Sequence, residues 1–189
     1  MLAVITGIPG SGKTTLTNRA LDILKERGIF YTLLNYGSLM FELATQEGLV
    51  KNRDEMRKLD PEKQEEIQTM VAQQLSQRAQ NENILLDTHC TISTKKGYIP
   101  GLPLKILKEL KLSVLVITES QEEEIRERRK SDSSRKRDEE TLKEIKLHQE
   151  LNRAISMSYS AFTGVPVKII QNKQGEIEKA AEKLAEILK

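Results

Sequence analysis

Residues 2–16 read LAVITGIPGSGKTTL: five apolar or β-favouring positions run straight into a loop holding three glycines and a lysine. From Gly7 to Thr14 the spacing is G-x-x-x-x-G-K-[ST], set between a strand-like run and a helix-like one, the context in which this pattern cradles a phosphate chain. Gly7, Gly10 and Gly12 admit backbone torsions closed to other residues and let the chain approach a ligand closely. Ile8, Pro9 and Ser11 complete the loop, whose amides converge as an anion nest at the positive end of the following helix. Lys13 is then a point charge for the β- and γ-phosphates of a nucleotide. Thr14 offers a hydroxyl to Mg²⁺, and Thr15 supports the α-phosphate. The lysine has no evident carboxylate partner, and a polyphosphate is the expected counter-charge.

Working outward, β-like runs recur at 30–35, 84–87, 114–118 and 167–171, several of them apolar throughout, as strands covered on both faces are. Helix-period segments lie between them. Residues 13–27 end at Gly28, a helix-stopping glycine. Asp60-Pro61 caps and opens a helix reaching about residue 80. Segments 121–130, 138–162 and 176–188 follow. Strands alternating with helices predict an α/β fold: a five-stranded, mainly parallel sheet with helices on both faces, in one domain over residues 1–189. Segments 35–60 and 126–138 fit the core pattern poorly and are expected to be mobile pieces attached to the sheet.

Lys and Arg number 30 against 28 Asp and Glu, a net charge of +2, so no whole-molecule field points to nucleic acid or an anionic membrane. The single cysteine, Cys90, excludes an intrachain disulfide, and no Cys/His set has zinc-ligand spacing. The apolar start is too short for a signal peptide and lacks a basic flank, and no run approaches a membrane span. A cytoplasmic chain is expected.

Other residues join the loop as candidates. Asp87 ends a buried strand; at the carboxyl edge of a parallel sheet such an acid holds Mg²⁺ through water, or else caps the next turn. Thr88 and His89 follow it, placed for a substrate or for packing. In residues 126–137 arginine outnumbers lysine five to two: Arg126, Arg128, Arg129, Arg135 and Arg137. Guanidinium forks suit phosphate and stack on bases. Two arginine sets around a Ser-rich turn read as a lid closing over phosphates, the alternative being a solvated helix face. Arg53 and Arg57 either pair with Asp54 and Glu55 or bind the phosphate of a second substrate. NKQG at 172–175 lacks the carboxylate of the guanine-reading N-K-x-D pattern; it lines a base pocket or is a plain turn.

Taken together, GIPGSGKTT, NYGSLMFELA, RDEMRKLDPEKQ, DTHCTISTKKGYIPGLP, SSRKRDEETL and VKIIQNKQG resemble the archaeal-type adenylate kinases across essentially the whole chain. That resemblance implies the P-loop NTPase fold in its nucleoside monophosphate kinase form, the reaction ATP + AMP ⇌ 2 ADP with Mg²⁺, and a homotrimer. It makes 35–60 the monophosphate-binding segment and 126–138 a short lid. Lys13, Arg129, Arg135 and Arg137 become the catalytic set, with Arg126 on the ATP base. Arg57 and Arg53, with Thr88 and His89, face AMP, and Thr14 and Asp87 hold Mg²⁺ through water.

Against bacterial and eukaryotic adenylate kinases the chain departs in several places. Thr14 stands where they commonly have glycine, DTHCT replaces D-G-F-P-R, and the lid lacks a four-cysteine zinc site. The short lid also resembles that of UMP-CMP kinases. Rival readings are a kinase for another monophosphate, a P-loop kinase of a small hydroxyl compound with Asp87 as base, and an RNA-binding module on the arginine cluster. Near-neutral charge and few aromatics weigh against the last.

Overall fold

Every residue of Leu2–Thr6 is buried, and its side chains alternate between two cores. The structure, a computed structural model, describes residues 1–94, 96–131 and 140–189, and Arg57 by its backbone alone. In chain order the elements are β1 (Leu2–Thr6), α1 (Lys13–Glu26), β2 (Thr32–Asn35), α2 (Tyr36–Gln46), a 3-10 turn (Glu55–Lys58), α3 (Pro61–Arg78), β3 (Ile84–Asp87), β4 (Thr91–Thr94), β5 (Gly97–Pro100), α4 (Leu104–Glu109), β6 (Val114–Glu119), α5 (Glu122–Ser131), α6 (Leu142–Thr163), β7 (Val167–Gln171) and α7 (Ile177–Leu188).

Five strands form one parallel sheet in the order β2-β3-β1-β6-β7. The period-2 alternation of a strand divides its apolar residues between two layers. Leu2, Val4, Ile84, Leu86, Leu115 and Ile117 face a core completed by α2, α3, α4 and α6. Ala3, Ile5, Leu85, Val116 and Ile170 face the other, filled by Leu16, Ala20 and Leu24 of α1 and Ala181, Leu184 and Leu188 of α7. The α/β architecture with helices on both faces is as the alternation of runs predicts.

β2 starts at Thr32 rather than at residue 30, and Phe30 is left 66% exposed. Segment 35–60 departs most from expectation. Asn35 caps α2, its Oδ1 accepting from the Ser38 amide at 3.0 Å. Tyr36, Leu43, Ala44 and Val50 are buried in the first core. The segment is core as well as appendage, because one stripe of a short helix suffices to bury it.

Residues 88–113 also carry structure that the strand-helix pattern does not reveal: the antiparallel pair β4–β5 and the short α4. Tyr159 of α6 anchors their base, its hydroxyl accepting from the Leu102 amide at 3.0 Å and donating to the Cys90 carbonyl at 3.3 Å. Helix α6 begins at Leu142, where Thr141 and Glu144 form a reciprocal capping box, rather than at residue 138. Among the described residues no helix is long and apolar enough to cross a membrane.

Candidate active site

The sheet register decides which side chains meet at its carboxyl edge. Asp87 of β3 is level with Ile5 of β1 on one side and Asn35 of β2 on the other. The chain leaving β1 must turn there at once to enter α1. Gly10 (φ 90°) and Gly12 (φ 81°) take left-handed torsions to do so. At Gly7 close packing governs instead: a Cβ would lie 2.6 Å from Ser11 Oγ and 2.7 Å from the Thr118 carbonyl oxygen. Gly12 caps α1 without any side-chain hydrogen bond, so the first-turn amides keep their facing toward the loop.

The resulting cleft, of about 510 Å³, is lined by residues 7–15 together with Asn35, Asp87, His89 and Arg128. The geometry corrects one expectation directly. Lys13 does have a carboxylate partner, since its Nζ pairs closely with Asp87 Oδ1 and also donates to the Thr88 carbonyl oxygen at 3.1 Å. The partner is invisible in the local sequence because parallel pairing of β1 with β3 brings it in from 74 residues away.

Thr14 and Thr15 stand exposed at the start of α1, both on the cleft wall. Thr88 is buried, its amide donating to the Ile5 carbonyl at 3.1 Å. The His89 imidazole is held below its usual pKa, first by desolvation in the cleft and then by the Lys13 ammonium. Arg53 does not pair with Asp54 or Glu55; its Nη2 donates to Ser38 Oγ at 2.7 Å, and Glu55 instead accepts from the Lys51 amide and Asn52. Arg57 stands on the 3-10 turn, with its side chain outside what is described. Arg135 and Arg137 lie outside the described residues.

In α5 the arginines facing the loop are Arg129, as expected, and Arg128, which carried no assigned role. Ile125 is buried against Ile8 and Ile145, which sets the helix rotation. Positions three and four further on share that face, and the next residue does not. Arg128 accordingly lines the cleft, its Nη1 donating to the Gly10 carbonyl at 3.4 Å and to Ser120 Oγ at 3.2 Å. Arg129 donates to the Pro9 carbonyl at 2.7 Å and pairs with Glu140 at 2.5 Å. Arg126 is absent from the cleft lining.

Two further residues take parts that the sequence reading did not assign to their side chains. Asn35 had a usable signal, since an asparagine between a strand-like run and a helix-forming one is a preferred N-cap. Asn172 is buried, and its Nδ2 donates to the Ser11 carbonyl at 3.0 Å. The loop after β7 thus reaches the phosphate-type loop through a side chain, with Asn172 held in turn by its amide bond to the Glu119 carbonyl at 2.7 Å.

Chemically, the arrangement offers converging amides, one ammonium and a guanidinium to a polyanion. Asp87 and Thr14 fit a hard cation that takes one or two protein oxygens and fills the rest of its shell from phosphate and water. Among the described residues no group of three or more His, Cys, Asp or Glu side chains is placed to cage a metal.

The AAA domain family matches residues 6–146. Over 188 residues the chain is 45% identical to the adenylate kinase of Methanocaldococcus jannaschii, covering 100% of this chain and 98% of the relative. It is 44% identical to the adenylate kinase of Methanococcus vannielii over 188 residues, again 100% of this chain and 98% of the other. Among solved structures, a shikimate kinase from Acinetobacter baumannii in complex with shikimate superimposes with a TM-score of 0.58 at 16% identity, covering 99% of this chain and 92% of that one, a likeness of fold alone. With full-length identity of this order and a phosphate-type loop at the carboxyl edge of a parallel sheet, the chain belongs to the archaeal-type adenylate kinase family and has its P-loop NTPase fold.

Proposed function

We propose that the chain catalyses reversible phosphoryl transfer between adenine nucleotides, ATP + AMP ⇌ 2 ADP. The observation that carries this is the full-length identity with adenylate kinases, in a chain whose glycine loop, Lys13 and Asp87 share one cleft. The ATP triphosphate lies along residues 7–15. AMP lies between segment 35–60 and residues 88–102, with Arg53, Arg57, Thr88 and His89 on its side. Thr14 and Asp87 would hold Mg²⁺ through water, and the ion when bound would supply charge neutralisation to the triphosphate.

The attacking atom is an AMP phosphate oxygen, ionised at neutral pH, so no general base is needed. The chain's part is positioning and electrostatic stabilisation. Lys13 leaves Asp87 for the phosphates. Arg128, the arginine that lines the cleft, joins Arg129, Arg135 and Arg137 in gathering over the transferring group. Closure excludes water, which would otherwise accept the phosphoryl group. The resemblance also supports a homotrimer, to be checked by light scattering on a sizing column, and a cytoplasmic location, where the substrates are.

The test is direct. Purified chain with ATP, AMP and Mg²⁺ is expected to form ADP, and UMP or CMP in place of AMP to be poorer acceptors. No ADP from ATP and AMP would refute the proposal, and faster turnover of UMP or CMP would reassign the acceptor.

A further inference from the structure

Five side chains form one continuous polar line from the arginine side of the cleft to its lysine. Arg53 Nη2 donates to Ser38 Oγ at 2.7 Å. Ser38 donates through Oγ to Asn35 Oδ1 at 3.2 Å, and its amide reaches the same oxygen at 3.0 Å. Asn35 Nδ2 donates to Asp87 Oδ2 at 3.3 Å, and Asp87 Oδ1 pairs with Lys13.

Asn35 is the joint of this line. Its oxygen only accepts and its nitrogen only donates. Flipping the amide would set a donor against the Ser38 N–H and an oxygen against the Asp87 carboxylate, so the neighbours fix its orientation. The backbone adds a second constraint. Asn35 is at once the last residue of β2, level with Asp87, and the cap of α2, whose other end leads into the Arg53 segment. A shift of α2 therefore moves the donor on Asp87, and a change at Asp87 pulls on the cap.

We propose that Asn35 is a positioning residue that couples the two nucleotide sites, an inference resting on the adenylate kinase reading. A triphosphate that draws Lys13 off Asp87 leaves the carboxylate with Asn35 as its protein hydrogen-bond donor. The Asn35–Asp87 contact tightens, and α2 with Ser38 and Arg53 is held in the place that receives AMP. Linkage makes the effect mutual: AMP on segment 35–60 steadies Asp87 and favours release of Lys13 to ATP.

The test measures AMP affinity by calorimetry, alone and with a saturating β,γ-methylene analogue of ATP, with Mg²⁺ present throughout. In the wild type the analogue is expected to tighten AMP binding about tenfold, the effect of one hydrogen bond to a charged group. Asn35→Ser keeps an acceptor for the α2 cap but loses the reach to Asp87, and brings the ratio to about one to two while AMP still binds. Asn35→Asp also keeps the cap, sets a carboxylate against Asp87, and loses the ratio likewise, which serves if the serine variant folds poorly. Ser38→Ala cuts the line at its other end and lowers the ratio with the Asn35–Asp87 bond intact.

A structural role alone would lower the melting temperature without touching the ratio. An Asn35→Ser protein that keeps the wild-type ratio overturns this proposal and leaves the kinase reading standing, as does a wild-type ratio of one. A wild type that binds no AMP overturns both.

Discussion

Lys13 and Asp87, 74 residues apart in the chain, form an ion pair at the carboxyl edge of the sheet, with their side chains 11% and 24% exposed. The pairing joins the residue proposed to meet the phosphates to the residue proposed to hold the cation. The ammonium is held between that carboxylate and the Thr88 carbonyl oxygen.

Lys13→Met is expected to lower kcat by about a thousandfold or more with the fold intact, as when a preorganised charge is removed from a transition state. Circular dichroism and a coupled ADP assay check this together; a near-full kcat would contradict the role of the lysine.

Asp87→Asn should weaken the apparent Mg²⁺ affinity about ten- to a hundredfold, the usual range for a residue that orients a metal's bound water. A Mg²⁺ titration of the initial rate reads it. If turnover vanished with an unaltered Mg²⁺ dependence, Asp87 would instead be a base, as a kinase of a hydroxyl compound would need.

Arg128 and Arg126 form a matched pair for test, one lining the cleft and the other not. Arg128→Ala is expected to raise the KM for ATP about tenfold, the loss of a charge-assisted contact. Arg126→Ala should change it less than about twofold. Steady-state kinetics at fixed AMP give both, and the reverse order would mean that α5 turns on nucleotide binding.

At Gly101 the constraint is space. A Cβ there would overlap the His89 carbonyl oxygen, a backbone atom that cannot step aside. Gly101→Ala should cost about 2–4 kcal/mol of stability, as overpacking against backbone does. Urea denaturation measures that cost. Because the displaced backbone carries Thr88 and His89, the KM for AMP is expected to rise as well.

Helix α6 carries a pH signature. His148 of α6 is buried against Tyr98 of β5, with ring centroids 5.1 Å apart, and burial holds its pKa below the ordinary 6.5. Its folded-state pKa lies below its unfolded value, so the unfolded chain binds the proton first. Stability is then full above about pH 6.5 and falls as pH drops from there toward the folded value. His89 is shifted the same way and adds to the slope, whereas the lowered carboxylates Glu124 and Glu144 act only below their ordinary 4.5. His148→Phe keeps the ring packing and should flatten stability measured by urea between pH 7.5 and pH 5. An unchanged slope would remove His148 as its source.

How much of this was legible beforehand follows from the range of each interaction. β1, β3 and β7 and the spans of α1 and α3 are readable because apolar runs, a glycine stop and an Asp-Pro cap are local signals. The phosphate-type loop is equally local, since torsion and amide direction belong to successive residues. α2 and α4 are short, and their apolar stripes make sense only against α3, α6 and the sheet that cover them; the β4–β5 pair is mostly exposed and carries no apolar run to announce it.

The site divides along the same line. Sequence alone determined the loop from Gly7 to Thr15, the presence of Lys13 and the acid at a strand end, because each rests on neighbours within a few residues. Tertiary structure decided that Asp87 meets Lys13, that Asn35 stands beside both, that Arg128 turns inward in place of Arg126, and that Asn172 reaches Ser11. Strand register and helix rotation set those contacts, and both are fixed only when the two cores pack around the sheet.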